Sequence, residues 1–213
     1  MRRHARSVVR FGASVMAVTG AMLVAVAGVT LLWQEPVSAF TAGRAQDRLE
    51  RDLSALEARP TRGRDLRAAA RRYGAHLQRG RPFGRIEMPT LGRRYVLVEG
   101  TDAASLRKGP GHYPGTALPG MGRTVAIAGH RTTYLAPFKT IDRLRRGDRI
   151  VIRMPYGRFV YRVSRTRIVE PADVWVTRDT GREQLVLTAC HPLYSAAKRI
   201  VVFATLAAQE RSR

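Results

Sequence analysis

The only cysteine in the chain, Cys190, stands in the stretch LTACHPLYSAAKR, followed at once by His191 and nine positions later by Arg199. A thiol is a nucleophile as its thiolate, so it needs a cation or a hydrogen-bond donor nearby. Acyl transfer from it also needs a group that moves a proton at the reacting atoms and donors for the developing oxyanion. Five histidines are available: His4, His76, His112, His130 and His191. His191 is next to Cys190 in sequence, but consecutive strand residues point to opposite faces. Pro192 can end the strand there, which weakens that exclusion. His130 closes TVAIAGH, where an apolar run meets the loop RTTYLAP, and His112 lies in KGPGHYPGTALPGMG. Loops held by rigid strands commonly carry catalytic groups, so His130 ranks first, His112 second and His191 third. Arg199 opens the run RIVVFATL. A hairpin would bring it to the same end as Cys190, where a guanidinium can donate to an oxyanion or to substrate backbone. The competing reading of Cys190 is a small buried hydrophobe, since free cysteine is among the most buried residue types.

The elements that must position these residues follow from periodicity. From Gly84 onward, short apolar or alternating runs are broken by Gly and Pro: RIEMP, RYVLVEG, TVAIAGH, RIVIRMP, RFVYRVSRTRIVE, QLVLTAC and RIVVFATL. Seven or more short strands with few helical patterns predict an all-β barrel or sandwich. Upstream, Leu49, Leu53 and Leu56 share one helical face, and Leu66, Ala70, Tyr73 and Leu77 share another, with Pro60 between. These helices either pack on the β domain or space it from a membrane. A chain of 213 residues with 45% hydrophobic content supports one moderate core plus appendages.

Residues 11–33 run 23 positions without a charge, behind Arg2, Arg3, Arg6 and Arg10. That length crosses a bilayer as a helix. The preceding arginines keep the N-terminus in the cytoplasm, with Trp33 at the far interface. A cleaved signal peptide competes, because Ser38 and Ala39 offer small residues near a cleavage site, although the apolar run exceeds the usual signal length. Either way the functional part lies outside the cytoplasm, where one cysteine makes no intramolecular disulfide. The net charge is +22, from 38 Lys and Arg against 16 Asp and Glu. No zinc-ligand spacing, helix-turn-helix pattern or RNA-binding aromatic motif accompanies it. A nucleic-acid partner is therefore not expected, and anionic lipid or wall polymer suits the charge better.

Several stretches together carry a family resemblance. GRIEMP, EGTDAASLRKGPGHYPGTALPG, VAIAGHRTTYLAPF, DRLRRGDRIV, YGRFVYRV and LTACHPLYSAAKRIVVFA resemble the sortases, extracytoplasmic cysteine transpeptidases of mainly Gram-positive bacteria, and among them the actinobacterial class E. The resemblance covers about residues 84–206. It implies an eight-stranded barrel with short helices, with Cys190 as nucleophile, His130 as general acid/base and Arg199 as oxyanion and substrate donor. It further implies cleavage of a C-terminal LAXTG- or LPXTG-type sorting signal between Thr and Gly. The acyl group would pass through a thioacyl-enzyme to an amine of a peptidoglycan precursor of the lipid II type. Partners are then secreted proteins bearing the signal, that amine and the membrane. Tyr113 is the expected substrate contact, with His112 beside it. The family usually carries Thr immediately before the cysteine, where this chain has Ala189, and a missing hydroxyl there would remove a hydrogen bond to substrate. Thr188, one residue earlier, is expected to face away from that position. No metal site and no cofactor are expected, because no acidic cluster calls for calcium. The expected organisation is a basic cytoplasmic tail (1–10), a transmembrane helix (11–33), a helical stalk (34–83) and a catalytic domain (84–213). The alternative is a membrane-tethered, catalytically silent β-domain that binds anionic wall polymer. Hydrolysis of the thioacyl intermediate by water is a further possible outcome of the same chemistry.

Overall fold

The computed structural model describes residues 2–32, 36–58 and 65–211. All seven runs read from the sequence are strands: β1 (Pro82–Met88), β2 (Arg93–Glu99), β4 (Thr124–Ala128), β5 (Arg149–Met154), β6 (Gly157–Val169), β7 (Gln184–His191) and β8 (Lys198–Arg211). The eighth, β3 (Gly111–His112), is two residues inside the Gly/Pro-rich stretch, too short to show a period. Gly111 is needed there, because a Cβ would collide with the Gly100 carbonyl. The strands close a barrel in the order β1-β2-β3-β4-β7-β8-β6-β5. Six of the neighbouring pairs are antiparallel, but β2 with β3 and β4 with β7 are parallel, so the barrel is mixed.

Alternation fills the barrel. Leu97, Ile127, Ile152, Phe159, Leu187 and Val202 belong to one buried interior cluster, each such side chain stabilising by about 1.5–3 kcal/mol. Tyr161 lies wholly inside and its hydroxyl donates to Glu183 Oε1 at 2.8 Å. Glu183 also accepts from the Gly120 and Gly122 amides, at 2.9 and 2.8 Å, and so fastens the loop before β4.

The N-terminal helices α1 (Arg2–Leu32), α2 (Pro36–Glu57) and α3 (Leu66–Gly74) precede the barrel, and a short α4 (Ala103–Leu106) follows β2. The question left open by sequence, packing or spacing, is answered by α2 and α3 packing. Leu49 and Leu53 of α2 are buried against Val96 and Val98 of β2, with Leu56 at the margin. Because β3 is so short, β2 pairs with β1 at Val96 but has no strand on its other side there. Gln46 takes its place: Oε1 accepts from the Val96 amide at 2.8 Å, and Nε2 donates to the Val96 and Lys108 carbonyls at 3.1 and 2.8 Å. This satisfies backbone groups that burial would otherwise orphan. Arg85 of β1 is buried and donates to Glu50 at 2.7 and 3.0 Å and to Glu57. The Arg85 bond holds the Glu50 carboxyl below its usual range. In α3, Asp65 caps the N-terminus through the Arg67 amide at 2.8 Å. Ala70 enters the interior cluster, with Leu66, Tyr73 and Leu77 packed against it. Pro60 lies outside the described residues.

α1 covers most of the uncharged N-terminal run, whose side chains are described over residues 12–28 and are exposed to residue 27. Among the described residues no helix is long and apolar enough to cross a membrane. Trp33, the expected interfacial residue, lies outside them.

Candidate active site

Register brings three of the expected site residues to one place. β4 runs parallel to β7 with Ala128 opposite Thr188, so His130, two residues on, stands level with Cys190. β7 is antiparallel to β8 with Cys190 opposite Arg199. Adjacent strands lie about 4.8 Å apart, so His130, Cys190 and Arg199 occupy one end of three neighbouring strands with the thiol in the middle. The Gly129 amide extends the ladder past β4 by donating to the Thr188 carbonyl at 3.0 Å. Only glycine fits there, because a Cβ would lie 2.5 Å from the Phe138 ring. The chain then folds back, with the Phe138 amide donating to the His130 carbonyl at 3.0 Å. Cys190, His130 and Arg199 are each half-buried. Arg199 Nη1 donates to the Ala196 and Lys198 carbonyls at 2.8 and 3.0 Å.

The remaining expected residues are distributed differently. Leu185, Leu187 and Ala189 face the barrel interior, while Val186 joins an outer cluster with Ala126, Val176, Val201 and Phe203. By alternation Thr188 and Cys190 share that outer face. Ala189 is 4% exposed among core side chains, so a hydroxyl at this position would enter the core rather than meet a substrate on the outer face. The side-chain hydroxyl of β7 that shares the face of Cys190 is that of Thr188, which shares a hydrogen bond of 2.8 Å with the Tyr113 hydroxyl. Tyr113 packs half-buried on the outer cluster, on the face that carries Cys190. His112 points elsewhere. It is 2% exposed, with Nδ1 at 2.7 Å from Glu99 Oε2 and Nε2 at 3.1 Å from the Ala117 carbonyl and 3.0 Å from Thr116 Oγ1. Those partners make it a fastening of the loop that carries Tyr113, with no free ring atom to offer a substrate.

Burial pushes the His130 imidazole below its ordinary pKa, and the positive charge of Arg107 pushes the same way. The neutral ring, able to accept a proton, is therefore favoured. Tyr134 packs on that ring with centroids 5.2 Å apart, and Arg107 lies over the Tyr134 ring at 5.9 Å. Tyr134, Leu135 and Ala136 have φ of 50°, 65° and 40°. A left-handed conformation costs an L-residue roughly 1–2 kcal/mol, and such strain gathers at functional sites. The Tyr134 amide faces Ser38 Oγ of α2 at 3.4 Å, so the N-terminal helix reaches to one residue from the imidazole. Arg107, Tyr134 and the buried Arg131 escaped the sequence reading. Of these only Arg131, adjacent to His130, carried a local signal.

The comparisons with known proteins agree with this arrangement. A sortase domain model matches residues 86–207, more than half the chain. The chain belongs to the sortase family. It is 34% identical over 128 residues to sortase D of Bacillus subtilis, covering 58% of this chain and 63% of that protein. It is 27% identical to sortase SrtE1 of Streptomyces coelicolor over 162 residues, 68% of this chain and 46% of that one. The chain thus spans less than two thirds of these curated relatives. Among solved structures, sortase E of Streptomyces avermitilis superposes with a TM-score of 0.57 at 33% identity, over 63% of this chain and 93% of that one. A sortase D5 transpeptidase of Clostridium perfringens, at 22% identity, shares the fold with a TM-score of 0.68 over 78% of this chain and 99% of that one. The expected barrel is therefore the family's own. Identity does not separate the class E resemblance from the class D one.

Proposed function

We propose that the protein is a membrane-anchored cysteine transpeptidase that attaches secreted proteins to the cell wall. The observation that carries the reading is the convergence of Cys190, His130 and Arg199 at one end of the three neighbouring strands β4, β7 and β8. Cys190 Sγ attacks the Thr carbonyl carbon of a sorting signal while His130 takes the thiol proton. Arg199 donates to the oxyanion. Collapse breaks the Thr–Gly bond, and His130 returns the proton to the departing amine. The thioester is then attacked by an amine of a peptidoglycan precursor, whose proton passes through His130 to the departing Cys190 thiolate as the C–S bond breaks. A depressed imidazole pKa suits the first step, because the ring enters the reaction as a base.

The finer reading is a class E-type signal of the LAXTG form, supported by the GHYPGT stretch and by Tyr113 on the face of Cys190. Residues 11–33 serve as the anchor, with the barrel outside the cytoplasm. Their 23 uncharged positions and the four arginines before them support this. The test is intact mass of the protein after incubation with LAXTG and LPXTG peptides, with and without an added amine. An acyl adduct on the wild type that is absent from Cys190→Ala and discharged by the amine is expected. A folded protein that forms neither adduct nor product with either peptide would leave the silent, polymer-binding domain as the reading.

A further inference from the structure

Arg131 is the least ordinary residue near the site. It is 3% exposed in an arginine-rich chain whose other arginines are mostly on the surface. Burying a guanidinium is costly unless partners compensate it, and the partners here come from the end of β7 and from residues 139–142 of the chain that follows β4. Nη1 donates to the His191 ring at Nδ1, 3.2 Å away, and faces the Cys190 carbonyl at 3.5 Å. Nη2 donates to the Lys139 carbonyl at 3.3 Å and to Asp142 Oδ1 at 3.0 Å. Nε is buried without a protein partner among the described residues. The residue before Arg131 is His130, and on β7 it holds the His191 ring and the Cys190 carbonyl. One planar fork therefore fixes the separation of the proposed base and nucleophile beyond the last ladder bond.

We propose that Arg131 is a positioning residue that holds the Cys190 strand end and the His130 loop in register for proton transfer. This rests on the transpeptidase reading above. A fold-only role is the competing account, and the two differ in what a folded variant does. Proton transfer requires the heavy atoms within hydrogen-bond reach, and a misplacement of about 1 Å can cost on the order of a hundredfold in rate. The effect then falls on kcat, because none of the hydrogen bonds of Arg131 goes to Tyr113, the proposed peptide contact. It also depends on the fork: lysine keeps the charge but supplies one point donor where two separate edges are needed.

The test uses the whole protein in detergent, with Arg131→Lys, Arg131→Gln and Asp142→Asn beside Cys190→Ala. Melting temperature, kcat and KM for the sorting peptide, and the rate of Cys190 alkylation by iodoacetamide at fixed pH are read for each. The expected result is kcat at least tenfold lower in Arg131→Lys at temperatures well below melting, with KM within twofold. Lysine should rescue less than a third of what glutamine loses, and alkylation should slow in both. Asp142 is half exposed, with 51% of its side chain open, so Asp142→Asn tests the clamp without risking the core and should lower kcat several-fold. If Arg131→Lys melts earlier but turns over at the wild-type rate, the residue only supports the fold and the proposal is overturned. If Arg131→Lys does not fold, a wild-type kcat in Asp142→Asn overturns it. Peptide turnover by Cys190→Ala would instead refute the transpeptidase reading on which it depends.

Discussion

If α2 is a docked layer of the fold rather than a spacer, Leu53→Ala should release it. Leu53 is wholly buried against Val96 and Val98. Leucine-to-alanine substitutions at such sites cost about 2–5 kcal/mol, combining lost transfer energy with the cavity left behind. The Val96 and Val98 face belongs to the rigid barrel and cannot collapse onto a helix, so about 3 kcal/mol is a fair figure. With one decade per roughly 1.4 kcal/mol, the open population of α2 should rise on the order of a hundredfold. Arg44, Arg48 and Arg51 are exposed along α2, so trypsin reports that opening when reclosing outpaces cleavage. The assay is the rate of cleavage at these arginines in the intact protein, under conditions where the barrel stays folded. The Gln46 bonds and the Arg85 ion pairs remain in the variant, so cleavage should accelerate without becoming instantaneous. A change of less than about threefold would mean that Leu53 is not packed as described and that the helix is a tether. Leu23→Ala in α1, an exposed position, serves as the comparison that should leave cleavage unchanged.

Arg107→Gln removes a positive charge that depresses His130, so the acid limb of kcat/KM should move to higher pH and histidine NMR titration should show the same direction. A limb that stays fixed at low salt would break the link between the two residues. Because the native chain resists protonation of His130 and the unfolded chain does not, that site lowers stability only as pH falls below about 6.5. Glu183→Gln leaves one of the Gly120, Gly122 or Tyr161 donors facing an amide NH2, at a cost of about 1–3 kcal/mol. A thermal melt should fall by roughly 2–10 °C, and an unchanged melt would show that the loop is held by other means. Tyr113→Phe loses the Thr188 bond, worth about 0.5–1.5 kcal/mol, but keeps the ring. KM should therefore change little in Tyr113→Phe and rise at least about fivefold in Tyr113→Ala, and equal effects would mean that the hydroxyl, not the ring, meets the substrate.

Sequence made the strands legible because β-type periodicity survives wherever one face is buried, from Ile86 through Val202. It also foresaw the β7–β8 hairpin, because only a short turn-rich link separates Cys190 from Arg199. What it could not read were features with no period. β3 is two residues long, and Gln46 substitutes for a missing strand from a helix 50 positions away. The burial of Arg131 is equally invisible in a chain where arginine is common. Ala189 shows the subtler failure: the Thr that the family usually carries there suggested a substrate contact, while strand alternation turns that position inward and gives the outer face to Thr188.

Local pattern put His130 first among the histidines, at a strand end that meets a loop, but its role as general acid/base opposite Cys190 came with the family resemblance. The physical cause of their juxtaposition is the parallel pairing of β4 with β7. Had the same two strands paired antiparallel, His130 would stand near Gln184, six residues along β7 from Cys190, or roughly 20 Å at 3.3 Å per residue. No side chain spans that gap. A parallel neighbour requires a long crossover, and residues 129–183, which hold β5, β6 and the loops between them, supply it. The crossover starts with His130 and Arg131 because those residues leave β4 at the level where β7 ends. The proximity of His130 and Arg131 to Cys190 is thus a consequence of one topological choice, and an all-antiparallel barrel built from the same eight strands would leave the proposed nucleophile without its proposed base.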